Sequence, residues 1–124
     1  MIQSEQRSCE SGVDLPELLA RVEYDRELLR EILGIFTEEF PSLQTQLKVA
    51  LSRGDLKQVR MAAHTLKGML ASLSFSKASA AAMKIEFLAA QATSHGIAEE
   101  LARMERSAAC GQRSLATACD EVLR

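Results

Sequence analysis

The sequence predicts an all-α fold, an antiparallel up-down-up-down four-helix bundle with a short N-terminal capping helix. Three observations predict it. The chain is 47% hydrophobic but only 4% aromatic and has no Trp. Its core is therefore built from Leu, Ala, Ile, Val and Met, and that set favours helices over sheets. Apolar residues recur by threes and fours through four long stretches, with no competing period-two pattern. Two prolines and six glycines in 124 residues leave room for few, short loops, and helices joined by short loops pack as antiparallel neighbours.

Residues 1–13 are polar and read as a disordered lead-in to a single domain over 14–124. Asp14, Pro16 and Glu17 supply a cap, an early proline and a first-turn carboxylate for a first helix from about Leu15 to Val22. Asp25 restarts the chain as the cap of a second helix, Arg26 to Ser52. Its stripe is Leu29, Ile32, Leu33, Phe36, Phe40, Leu43, Leu47 and Ala50. Pro41 removes the hydrogen bond to the Thr37 carbonyl, which predicts a kink near 37–40.

Gly54 ends this helix and Asp55 caps the third, Leu56 to Leu73, with the stripe Val59, Ala62, Ala63, Leu66, Leu70 and Leu73. The turn "SFS" places Ser76 as the cap of a fourth helix, Lys77 to Thr93. Its stripe, Ala78, Ala81, Ala82, Ile85, Leu88, Ala89 and Ala92, is rich in Ala, so a neighbouring helix can approach closely. The last helix runs from Ile97 to Val122 through Leu101, Met104, Ala108 and Leu115, with Gly111 as a local weak point.

Charge and composition narrow the function. Fifteen Lys and Arg against seventeen Asp and Glu give a net charge of −2, no basis for binding nucleic acid. No apolar run reaches the roughly 20 residues of a membrane span, and the N-terminus lacks the apolar stretch of a signal peptide. Cys9, Cys110 and Cys119 are odd in number and form no CxxC, which argues against a disulfide framework or zinc knuckle. Within one helix Cys110 and Cys119 lie about half a turn apart in azimuth and cannot pair with each other. A reducing, cytoplasmic location follows. There is no Walker-type phosphate loop and no acidic cluster for Mg²⁺ near the histidine described next.

The third helix carries the chemistry. Within "AAHTLKGMLASL" (62–73), Gly68 costs about 1 kcal/mol relative to Ala. Measured from the centre of the buried stripe, His64 lies at roughly 140°, Gly68 almost opposite the core, and Ala71 on the same outward side. Lys57, Arg60, His64 and Lys67 form a second stripe, whose charge is basic. An exposed imidazole is a covalent nucleophile. A phosphoryl group on it would bring about two negative charges, which Lys67 and Arg60 are placed to screen, while Gly68 lets another backbone approach. Each feature alone also fits a solvated helix face; their coincidence on one patch points to group transfer.

The string His64-Thr65-Leu66-Lys67-Gly68 resembles the signature of histidine phosphotransfer (HPt) domains, and the likeness extends over about residues 14–95, including "KIEFLAAQ". The resemblance implies a phosphorelay intermediate. His64 would take a phosphoryl group on Nε2 from a receiver-domain aspartyl-phosphate and pass it to another receiver Asp. Lys67 would orient and neutralise the phosphate, and Gly68 would leave room for the receiver's loops. Glu86, in "KIEF", is the candidate to accept from Nδ1–H and fix the tautomer; the plain alternative is a solvated Glu.

The implied partners are response-regulator receiver domains and a hybrid sensor histidine kinase. No metal or cofactor of the chain's own is implied, Mg²⁺ belonging to the receiver. One departure from the family pattern is Ser74, where a Gly is usual. Met61, Met69, Phe75, Met83 and Phe87 lie off the main stripes and read either as core or as an apolar rim for docking, with Lys57, Met61 and Ala71 the docking candidates. His95 reads as a turn residue. Two alternatives keep the helical fold: an adaptor that binds receivers without taking phosphate, and a histidine-kinase dimerisation bundle, which a self-contained, monomeric four-helix chain disfavours.

Overall fold

A computed structural model of the chain describes residues 15–121, with side chains as far as residue 117. The Asp14 cap, the 1–13 lead-in and Val122 lie outside the described residues. Five helices follow one another: α1 (Leu15–Arg21), α2 (Arg26–Ser52), α3 (Leu56–Ser72), α4 (Ser76–Ala90) and α5 (Ile97–Glu121). The described residues contain no strand element. α3 packs against α2 and α4, α4 against α5, and α5 returns to α2, so the four long helices enclose a common core.

Local chemistry sets most of the boundaries. The Asp25 and Asp55 carboxylates accept from the amides of Leu28 (3.1 Å) and Gln58 (3.2 Å), starting α2 and α3 where the sequence places them. At the other ends, four turns close in one way. The amides of Tyr24, Asp55, Phe75 and Thr93 reach back five residues to the carbonyls of Leu19, Ala50, Leu70 and Leu88. The preceding residues, Glu23, Gly54, Ser74 and Ala92, all take the left-handed conformation. Only one of the four is glycine. α2 runs unbroken across Pro41, and the Gln112 amide donates to Thr37 Oγ1 (3.0 Å), tying α5 to α2 beside the proline.

α1 closes the C-terminal end of α3. Arg21 donates to the carbonyls of Ala71 (3.2 Å) and Ser72 (3.3 Å), in the last turn of the helix, where acceptors lack a full set of intrahelical partners. Ser74 Oγ donates to Glu17 Oε1 (2.8 Å). Ser74, in the left-handed conformation, is therefore held in place by α1.

Several expectations are corrected. α4 starts one residue earlier, with Phe75 rather than Ser76 at the cap position and no side-chain cap bond. It also ends at Ala90, leaving Ala92 exposed in the following turn rather than on the buried stripe. Phe75 is fully buried, edge-on to Phe36 at 5.6 Å, and does not belong to a docking rim. Gly111 faces the core, where a Cβ would lie 3.0–3.1 Å from three atoms of the Phe75 ring. Cys110, finally, is disulfide-bonded, which removes the support its thiol lent to a reducing compartment.

Candidate functional site

His64 stands on the outer face of α3, its side chain 66% exposed, while Ala62, Ala63 and Leu66 beside it face the core. The small residues of α4, Ala78, Ala81, Ala82 and Ala89, are buried and let α3 lie close. The Ser79 hydroxyl of α4 donates to the Lys67 carbonyl of α3 (3.2 Å). At that separation Glu86, half-buried on α4, reaches two side chains of α3 at once. Its Oε2 lies 2.9 Å from His64 Nδ1, and its Oε1 lies 2.9 Å from Lys67 Nζ.

A carboxylate has only lone pairs to offer, so a neutral His64 must carry its proton on Nδ1 and donate it to Glu86. Nε2 then keeps its lone pair. Glu86 is held below its ordinary carboxyl range, chiefly by the Lys67 ammonium that donates to it. Partial burial opposes this, and the bond from His64 supports it. The carboxyl is ionised at neutral pH, as the contact to Nδ1–H requires.

Around the imidazole lies an open groove of about 690 Å³. Arg60, Met61 and His64 of α3 form one wall, and Met83, Glu86 and Phe87 of α4 form the other. Met61, Met83 and Phe87 are each at least half exposed. Of the five residues read as core or rim, these three are exposed along the groove; Met69 packs against the core and Phe75 lies within it. The signal was present in the sequence: Met83, Glu86, Phe87 and Ala90 recur by threes and fours, a second stripe on α4 beside its buried one.

Gly68, one turn beyond His64, is exposed, and a Cβ there would meet nothing within 4 Å. Lys57 is exposed but does not line the groove. Ala71 lines a neighbouring depression with Glu17 and Ser74, next to α1. Among the described residues there is no cluster of three or more His, Cys, Asp or Glu that could hold a metal, and no helix long and apolar enough to cross a membrane.

Compared with known proteins, the chain matches the model of the Hpt domain over residues 31–124, most of its length. No curated protein and no solved structure matches it significantly. The matched segment begins within α2 and takes in α3 and α4 with His64, Lys67, Gly68 and Glu86; residues 14–30, which the sequence likeness also covered, lie outside it. The helix pair that builds the groove is thus inside the matched region, and the chain belongs to the histidine phosphotransfer (Hpt) domain family.

Proposed function

We propose that the chain is a phosphorelay intermediate that accepts a phosphoryl group on His64 Nε2 from a receiver aspartyl-phosphate and hands it to an Asp of another receiver. One observation carries this reading: Nδ1 is committed to Glu86 on an imidazole that is two-thirds exposed. In the transfer, the Nε2 lone pair attacks phosphorus as the bond from phosphorus to the aspartyl oxygen breaks. The electron pair of that bond leaves on the Asp carboxylate, and no proton moves. The ring becomes positive and spreads that charge to Nδ1–H, where Glu86 faces it. The reverse step on a second receiver expels a neutral imidazole because Nδ1 has kept its proton.

What the domain supplies is position and charge. Arg60 and Lys67 screen the phosphoryl oxygens, Gly68 admits the receiver's loops, and Met61, Met83 and Phe87 give the receiver an apolar seat beside Lys57 and Ala71. Met-rich surfaces suit a domain that must fit more than one receiver. Mg²⁺ and the acidic residues that bind it are assigned to the receiver, and the original donor to a hybrid sensor kinase. We read the four long helices as an antiparallel up-down-up-down bundle acting as a monomer, and place the protein in the cytoplasm on the family's role alone.

The test is phosphoryl transfer from labelled receivers. Wild type should acquire an acid-labile, alkali-stable label, and His64→Gln should acquire none at unchanged helicity. Label on the His64→Gln variant would remove His64 from the reaction. Receiver binding with no label on wild type would favour the adaptor instead.

A further inference from the structure

Glu86 does two things to His64 that pull against each other. Accepting from Nδ1–H fixes the tautomer that leaves Nε2 free. A bare carboxylate at 2.9 Å also favours the doubly protonated ring, and an imidazolium has no lone pair with which to attack phosphorus. The structure shows a third participant. The Lys67 ammonium lies on the other oxygen of the same carboxylate, 2.9 Å away.

The remaining charges around the ring are few. On α3, Arg60 lines the groove one turn before His64; on α4, Glu86 is the charged member of the lining, beside the uncharged Met83, Phe87 and Ala90. Lys84 of α4 is turned towards Glu100 of α5, at 3.9 Å. The carboxylate is thus shared between one ammonium and one imidazole.

We propose that Lys67 is a positioning residue that acts through Glu86, as the counter-ion that lets the carboxylate fix the Nδ1–H tautomer without holding His64 as an imidazolium. The inference rests on His64 being the phosphoryl acceptor and adds a role for Lys67 before any phosphate arrives. The lowered proton affinity of Glu86, set first of all by Lys67, agrees with it. Lys67 is well placed for this. Its side chain is less exposed than that of His64, and the Ser79 hydroxyl fixes the backbone from which it extends.

The role can be read without any receiver. Diethyl pyrocarbonate acylates only the unprotonated imidazole, and the chain has two histidines. His95, exposed in the turn before α5, serves as the internal reference. Modification at each position is followed by peptide mass spectrometry across a pH series, in wild type, Lys67→Met, Lys67→Arg, Glu86→Gln and the Lys67→Met/Glu86→Gln double variant.

In Lys67→Met the His64 profile should move to higher pH, with modification about threefold or more slower on the acid side, and His95 should not move. Lys67→Arg should restore the wild-type profile. In the Glu86→Gln background, Lys67→Met should have little further effect. An unmoved His64 profile in Lys67→Met would overturn the proposal. So would an equal shift in the Glu86→Gln background, because Lys67 would then act on the ring directly. A chain that shows the expected cycle yet takes no label from any phosphorylated receiver would instead sink the phosphorelay reading and leave the charge relation intact.

Discussion

Two helical glycines of this protein carry the same intrinsic cost and stand in opposite surroundings. Gly111, in α5, faces inward, and an added Cβ would lie 3.0 Å from Phe75 Cζ. Gly68, in α3, faces outward, and an added Cβ would meet nothing within 4 Å. Each weakens its helix by about 1 kcal/mol relative to Ala. At Gly111 the missing side chain is answered within the chain, by a buried ring that is edge-on to Phe36. At Gly68 no described residue answers it, and the proposed use of the space is the approach of a receiver. Open space alone does not separate Gly68 from Gly34 of α2, where an added Cβ would also meet nothing within 4 Å; what sets Gly68 apart is its place one turn beyond His64.

The largest expected effect tests the inward half of this contrast. Gly111→Val forces methyl groups into the Phe75 ring, which has no exposed side towards which to yield. The chain should lose about 2–3 kcal/mol of stability, read from the denaturant midpoint. Phe75→Leu should cost stability alone but recover part of the loss when combined with Gly111→Val, a coupling expected of residues in contact. Additive losses would mean that Gly111 is not shaped by Phe75.

This pair also marks where the sequence stops being legible. Helix starts at Asp25 and Asp55 and the buried stripe of α3 are local matters of capping and period, and they stand where the sequence puts them. Phe75 was ambiguous because a turn residue has no helical face to assign. Its burial depends on Phe36 and Gly111, which lie 39 and 36 residues away in the chain. For the same reason it occupies the cap position expected of Ser76. Three of the four helix-ending turns use a non-glycine in the left-handed conformation, so glycine marks only one of them; Ser74 is held there by Glu17 on another helix.

The site divides in the same way. His64, Lys67 and Gly68 belong to one short string and one helix face, and their outward placement follows from angle alone. That Glu86 reaches His64 could be named as a candidate. That it reaches Lys67 with its other oxygen needs the separation and register of α3 and α4, which no single stripe contains.

A smaller effect tests the outward half. Gly68→Gln should stabilise the chain by up to about 1 kcal/mol, since it gains helix propensity in open space. The same variant should slow transfer from a phosphorylated receiver several-fold while leaving the labelling of His64 by a small donor such as phosphoramidate near the wild-type rate. The split between large and small donor is the informative readout. Equal rates with the receiver would leave Gly68 without a partner on either side of the helix.

The smallest expected effect concerns the pH dependence of the link between the two helices. Glu86 binds its proton less readily in the folded chain than its ordinary value of 4.5. Its contribution to stability is therefore complete above that value, where both folded and unfolded chains hold it ionised. As pH falls below it, the unfolded chain takes up the proton first, and the contribution is lost as pH drops through the lower folded value. The stability difference between wild type and Glu86→Gln should accordingly shrink as pH falls below about 4.5. Because the carboxylate is partly solvated, the change is a minor part of the acid transition. A difference that grew on acidification would mean that burial outweighs the Lys67 ammonium at this position, and the carboxylate could then not be the charge-balanced acceptor on which the orientation of His64 depends.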